Sequence, residues 1–203
     1  MLGEVLQGLM SLPSPFRPTE FGEDESDLKS RHLVADEKAF RAFCKGRVAG
    51  FFLFSPITTI LINAVPGRSL RVHCSAPTNA ADLLENMLAY LAPRQPIFGF
   101  ACEQEERFFR NRVITQLGLN TVESWVGRDS SRYLPGLYWL TLLSAVIIKM
   151  HDIDLDMLKR TSIAYTEAAP GQHLFRFYQE PGFWHDAPQI ADLYSATPGI
   201  FDA

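Results

Sequence analysis

Residues 48–65 read VAGFFLFSPITTILINAV and are rich in Phe, Ile, Thr and Val. These residue types favour strands, and Ser55-Pro56 in the middle of the stretch indicates a bend between two of them. Pro66-Gly67-Arg68 predicts a turn, and Leu70–Cys74 follows it as a third short strand. We therefore predict a hairpin-built, antiparallel sheet in this part of the chain.

Downstream of this stretch, helical and strand-like segments alternate. Apolar residues at helical spacing predict helices over 78–91, 103–117, 137–148, 154–159 and 187–195. Short apolar runs predict strands over 97–102, 119–126, 162–166 and 173–178. The predicted fold class is α+β, with mainly antiparallel sheet(s) and helices packed on one side.

The amino-terminal part of the chain has a different composition. Residues 11–30 hold three prolines and an acidic cluster, which predicts an extended acidic, Pro-rich arm over residues 1–30. Residues 31–203 are predicted to form a single α+β domain. The arm has two interpretations: its acids mimic phosphate charge for a basic partner such as a nuclease, or they only keep a disordered segment in water.

The charge and the cysteines of the chain exclude several classes. The net charge of −4 comes almost entirely from residues 1–27, and no block of positive charge exists, which argues against nucleic acid as a partner. The apolar stretch 134–148 is too short to span a membrane. Three cysteines without a CxxC motif favour reduced thiols and a cytoplasmic location.

Common catalytic and cofactor motifs are missing from the sequence. Phosphate-binding loops, GxSxG and HExxH are all absent, so we predict no cofactor and no metal. Residues 151–156 alternate acidic and apolar side chains and could be taken for a metal loop. The better interpretation is that Asp154 or Asp156 caps the helix that follows.

One enzymatic alternative rests on Cys102. This thiol precedes a predicted helix, and His173 with a carboxylate could complete a dispersed site. The glutamates that follow Cys102 oppose thiolate formation. In the same helix Glu106 and Arg110 are four residues apart, which predicts an ion pair on a solvated face.

Interaction residues are predicted from charge and side-chain type. Acidic groups steer association, and Trp, Tyr and Arg dominate binding hot spots. The candidate partner-binding residues are Glu23, Asp24, Glu25, Asp27, Trp125, Arg128, Arg132, Tyr133, Tyr138 and Trp184.

Two segments of the second half resemble a known group of proteins. Residues 123–129 read ESWVGRD, residues 133–143 read YLPGLYWLTLL, and GQHLFRFY follows at 171–178. Together with Pro181 and Trp184, this set resembles the immunity proteins of bacterial type VI secretion and polymorphic toxin systems. The resemblance covers roughly residues 95–203.

The resemblance implies both a local structure and a function. In those families the segment around Pro135-Gly136 opens a helix, and Trp139 packs inward. Such proteins bind and neutralise one cognate toxin in the cytoplasm, without a cofactor.

Three hypotheses follow for the function of the chain. The first is an immunity protein, an inhibitor rather than an enzyme, acting as a monomer or a small homo-oligomer on a cognate protein toxin. The second is a small thiol-dependent enzyme that uses Cys102. The third is a structural or adaptor subunit of a secretion system.

Overall fold

The computed structural model describes residues 2–45, 50–65, 69–77, 81–110, 114–117, 119–122 and 137–185. The chain divides into two compact units, Met1–Leu83 and Leu84–Ala203. This division differs from the single domain predicted over residues 31–203. Each unit contains its own antiparallel sheet, so the predicted α+β class is confirmed.

The first unit is built on a five-stranded sheet with the order β2-β1-β3-β4-β5. All its neighbouring strands pair antiparallel. Its elements are α1 (Leu2–Met10), β1 (Glu20–Gly22), β2 (His32–Leu33), α2 (Glu37–Cys44), β3 (Phe51–Phe54), β4 (Thr59–Val65) and β5 (Ser69–Ser75). The predicted strands of residues 48–74 are therefore confirmed as β3, β4 and β5.

The core of the first unit is a row of in-register side chains. Phe21 pairs with Leu53, and Leu53 pairs with Ile60, so the three side chains share one face of the sheet. Each is at most 1% exposed. From α2, Phe40 and Phe43 cover this face, with ring centroids 5.1 and 4.7 Å from that of Phe21.

The prediction of an extended arm over residues 1–30 is wrong for most of that segment. Residues 2–10 are helical, and Leu9, Leu12 and Phe16 are fully buried. Phe21 belongs to the central row described above. The apolar residues on either side of the prolines thus supply core contacts that favour a packed conformation, whereas residues 23–29 are exposed as expected.

The second unit is built on a four-stranded antiparallel sheet with the order β10-β11-β9-β6, and β7 and β8 form a separate two-stranded hairpin. Helix α3 begins just before this unit and belongs to it from Leu84 onward. The elements are α3 (Ala81–Leu91), β6 (Phe98–Ala101), α4 (Gln104–Arg110), β7 (Ile114–Leu117), β8 (Leu119–Val122), β9 (Leu140–Ser144), α5 (Ala145–Met150), α6 (Leu155–Thr161), β10 (Ala164–Ala169) and β11 (Gln172–Arg176).

The helix predicted over 137–148 is wrong in its first half. Residues Leu140–Ser144 form the central strand β9, and every residue of this strand is buried. A strand covered on both faces is apolar without alternation, so its sequence resembles that of a buried helix. The helix predicted over 103–117 likewise ends early, because Ile114–Leu117 is a strand.

Helices cover both faces of the four-stranded sheet. Leu88 of α3 packs with Leu142 and Leu174 on one face. On the other face, the Lys159 amine of α6 lies 5.0 Å from the centroid of the Tyr165 ring. The helices of this unit therefore lie on two sides of the sheet rather than on one.

The predicted cap of α6 is confirmed, and a glycine closes the hairpin that follows this helix. Asp154 caps α6, its Oδ1 accepting a 2.9 Å hydrogen bond from the backbone N–H of Met157. Gly171 closes the β10–β11 hairpin with a φ of 70°, which glycine adopts at little cost.

None of the helices that the structure describes has the length and apolar character of a membrane span.

We expect Leu142→Ala to destabilise the second unit by about 3 kcal/mol, because it opens a cavity between α3 and the sheet. All three tryptophans belong to this unit, so tryptophan fluorescence during urea unfolding reports on it specifically. The control Val146→Ala, at a side chain 59% exposed, should change stability by less than about 0.5 kcal/mol. Equal losses in both variants would contradict the described core.

Candidate partner-binding surface

The candidate surface of the first unit is the hairpin formed by β1, β2 and the loop between them. We call residues 20–33 the acidic hairpin. Within it the four side chains Glu23, Asp24, Glu25 and Asp27 are all exposed. The hairpin lies at the edge of the sheet, because β2 is an outer strand.

Two aspartates give the loop a defined shape. Oδ1 of Asp24 accepts hydrogen bonds from the backbone N–H and the hydroxyl of Ser26, both at 2.8 Å. These bonds to Ser26 lower the pKa of the Asp24 carboxyl below its ordinary value. Asp27 caps a short 3₁₀ helix, Leu28–Ser30, by accepting a 3.0 Å hydrogen bond from the backbone N–H of Lys29.

Arg31 connects this loop to the sheet. Its guanidinium lies over the ring of Phe54, 3.6 Å from the centroid. Nη2 donates a 2.9 Å hydrogen bond to the carbonyl of Glu25, and Nη1 lies 3.7 Å from Oε2 of Glu20. The Phe54 side chain is only 2% exposed, so Arg31 attaches the loop to a fixed point of the sheet.

The hairpin also presents two leucines to solvent. Leu28 is 69% exposed and Leu33 is 61% exposed, the two highest values among the large apolar side chains that the structure describes. Leu33 pairs with Glu20 across β1 and β2, so these two side chains share a face. The acidic hairpin therefore combines exposed carboxylates with exposed aliphatic side chains.

The ten predicted partner-binding residues have different outcomes. Glu23, Asp24, Glu25 and Asp27 are exposed and belong to one hairpin, whereas Tyr138 and Trp184 are 0% and 6% exposed. Tyr138 stacks on Phe100 at 4.3 Å between centroids. The two aromatic residues are thus part of the packing, and predicting them as contact residues was wrong. The other four predicted residues lie outside the described part of the chain: Trp125, Arg128, Arg132 and Tyr133.

Sequence reasoning missed Arg31, Leu28 and Leu33. Nothing in the sequence connects Arg31 to Phe54, because the contact requires β1 to lie between β2 and β3. A detectable signal for the leucines was available. Leu28 is an isolated aliphatic residue in a polar segment, and Leu33, which Val34 follows, is not at helical or alternating spacing from it.

The site proposed for the thiol-enzyme alternative is not assembled in the second unit. His173 is in register with Leu143, which is in register with Phe98, and Cys102 is four residues beyond Phe98. At roughly 3.3 Å per residue and 4.8 Å per strand, the backbones of Cys102 and His173 are about 16 Å apart. This separation exceeds the reach of a direct thiol–imidazole hydrogen bond.

His173 instead interacts with neighbours in its own hairpin. Its Nδ1 lies 2.9 Å from the hydroxyl of Tyr165, and the residue is 9% exposed. Burial lowers the pKa of His173 below 6.5. Glu167, directly across the hairpin, opposes this change, and the Lys159 amine adds to it.

No disulfide joins Cys44, Cys74 or Cys102, and each of the three is half-buried. Burial raises the pKa of Cys74 to about 11, which disfavours its thiolate at neutral pH. Among the residues that the structure describes, no group of three His, Cys, Asp or Glu side chains could hold a metal ion.

Glu106 does not lie on a solvated helix face, as its spacing from Arg110 predicted. It is 0% exposed, and its Oε1 accepts a hydrogen bond from the hydroxyl of Tyr178, which is itself buried. A buried carboxylate requires such a donor, since desolvation without one is costly. This pair joins α4 to the segment after β11.

We expect Arg31→Ala to release the acidic hairpin from the sheet. Loss of the contact with Phe54 and of the bond to the Glu25 carbonyl should lower the free energy of local opening by about 1–2 kcal/mol. Cleavage at Glu23 and Glu25 by a glutamyl endopeptidase should then be about tenfold faster. The control Arg41→Ala removes an arginine whose side chain is 81% exposed and should leave the rate unchanged. An unaltered rate for Arg31→Ala would disprove the anchoring role.

We also expect the second unit to lose stability as the pH falls below 6.5. The pKa of His173 is lowered in the folded state, so in that range the unfolded chain binds a proton at this residue more readily than the folded state does. Lower pH therefore favours unfolding. Urea unfolding at pH 7.5 and 5.5 should therefore show a smaller difference in His173→Gln than in the wild type. An identical difference in the two proteins would show that this residue makes no contribution.

Comparison with known proteins gives no match: neither a family model, nor a curated protein, nor a solved structure is similar to this chain.

Proposed function

We propose that this protein is an immunity protein, which binds a cognate secreted toxin in the cytoplasm of the producing cell and neutralises it. The observation that carries the proposal is the acidic hairpin, an exposed and internally hydrogen-bonded group of carboxylates. A nuclease is the favoured class of toxin, because its substrate is a polyanion.

Charge complementarity links the hairpin to such a toxin. An enzyme that binds nucleic acid presents basic side chains to the phosphates of its substrate. Carboxylates arranged on a rigid loop can occupy the same basic surface and exclude the substrate. Complementary charge also accelerates association, which favours an inhibitor that must bind before damage occurs.

The order of the loop supports tight binding. Asp24, Asp27 and Arg31 form hydrogen bonds with backbone groups of the hairpin before any partner is present, and these bonds favour its folded conformation. Less conformational entropy is then lost on association, so more of the contact energy contributes to affinity.

The resemblance of the segment YLPGLYWL to immunity proteins supports the same function. It implied that Trp139 packs inward, and this side chain is 2% exposed. The helix that the resemblance places after Pro135-Gly136 does not begin there, since residues 140–144 form a strand. The proposal therefore rests on the hairpin more than on this segment.

The function can be tested by capture followed by a toxicity assay. The purified protein is immobilised and exposed to a lysate of its source cells, and proteins retained after a high-salt wash are identified by mass spectrometry. Each captured protein is then expressed in a test bacterium, alone and together with this chain. We expect one captured protein to arrest growth alone and to be harmless when this chain is present.

Two variants connect the protection to the hairpin. E23Q/D24N/E25Q/D27N removes four charges while leaving carbonyl oxygens that can accept the same hydrogen bonds. D82N/E105Q/D152N/E180Q removes four exposed charges elsewhere and serves as the control. Protection should fail with the first variant only. Captured proteins that are harmless alone, or that stay toxic beside the wild-type chain, would refute the immunity function.

A further inference from the structure

The acidic hairpin carries two aliphatic side chains that no intrachain packing explains. Single exposed leucines are common on protein surfaces, but Leu28 and Leu33 are 69% and 61% exposed within one six-residue segment. Their backbone is ordered, because Asp27 caps the turn that contains Leu28, and Leu33 lies in β2. Both side chains are therefore held in water by a defined local structure.

The charges around these leucines restrict what can cover them. The hairpin holds five acids, Glu20, Glu23, Asp24, Glu25 and Asp27, against two cations, so acidic charge remains in excess. Of the cations, Lys29 is exposed, and the positive charge of Arg31 is directed at Phe54, Glu20 and the Glu25 carbonyl. A second copy of this hairpin would bring like charges together, and an anionic membrane surface would also be repelled. A basic protein surface is the occupant that charge complementarity favours.

We propose that Leu28 and Leu33 are the apolar anchors by which the acidic hairpin docks on a basic protein, with the surrounding carboxylates contacting the basic rim of that partner. The inference rests on the proposed function in one respect, since it takes the cognate toxin to be this partner. It adds the contact surface, the chemistry of the partner and a separate role for each kind of side chain.

The two kinds of side chain have different kinetic roles. Exposed carboxylates act at long range, so their removal lowers the association rate and its dependence on salt. Leucines act only after contact, when they are desolvated in apolar pockets of the partner, so their removal raises the dissociation rate. This separation distinguishes a docking surface from a loop that only steers the partner.

Site-specific photocross-linking in the source cells tests the surface while the partner is still unidentified. The photoreactive residue p-benzoylphenylalanine replaces Leu28 or Leu33, and in a control chain it replaces Val146, which is 59% exposed in the other unit. We expect one adduct from positions 28 and 33, formed with a basic protein, and no such adduct from position 146. Combining position 33 with E23Q/D24N/E25Q/D27N should reduce its yield at least tenfold, whereas D82N/E105Q/D152N/E180Q should not.

Binding kinetics with the cross-linked protein, once purified, complete the test. L28S/L33S should dissociate at least tenfold faster than wild type with an association rate within about twofold, whereas the four-charge hairpin variant should show the opposite pattern. No adduct from positions 28 and 33, an adduct with an acidic protein, or an adduct of two copies of this chain would overturn the proposal.

The outcomes also separate this inference from the proposed function. A basic partner that is not toxic would refute the immunity function and leave the docking surface in place. A toxin that this chain neutralises, but that cross-links only from position 146, would refute the docking surface and leave the immunity function in place.

Discussion

The in-register row formed by Phe21, Leu53 and Ile60 is the constraint on which the first unit depends. It places β1 between the edge strand and the long β3–β4 hairpin, and α2 covers the row with two phenylalanine rings. A shift of one residue in β1 would turn Phe21 to the opposite face of the sheet. The same shift would move the acidic hairpin relative to Phe54 and would break its attachment through Arg31.

Arg31 illustrates how a charged residue can organise a surface of opposite charge. Its stem and guanidinium cover an aromatic ring that would otherwise meet water, while its donors hold the carbonyl of Glu25 and approach the carboxylate of Glu20. The carboxylates of the loop are left directed at solvent. The sheet thus determines the position of the acidic charges, although none of the four loop carboxylates belongs to a strand.

Two buried polar side chains of the second unit, those of Glu106 and His173, have partners within that unit. Glu106 accepts the hydrogen bond of Tyr178, and His173 interacts with Tyr165. These contacts satisfy groups that would be costly to bury alone. The sequence pattern around Glu106 suggested a solvated helix face, but this side chain is buried against Tyr178. His173 was a candidate partner of Cys102, but its imidazole contacts Tyr165 in its own hairpin.

The amino-acid sequence was enough to predict the α+β class, the strands β3, β4 and β5, the two strands of the β10–β11 hairpin and the exposure of Glu23, Asp24, Glu25 and Asp27. These features depend on local residue types: β-branched and aromatic runs, turn residues at Pro170-Gly171, and charges too costly to bury unpaired. Local information of this kind is present in any window of a few residues.

Other features depend on contacts between distant parts of the chain: the division into two units, the packing of residues 2–22, the strand at 140–144 and the burial of Tyr138 and Trp184. An apolar segment can form a helix or a strand, and the elements that pack against it determine which. Whether an aromatic side chain is buried or available to a partner likewise depends on the elements that pack over it. The attachment of the acidic hairpin by Arg31 is of the same kind, because it joins residues 23 positions apart in the sequence through the order of the strands.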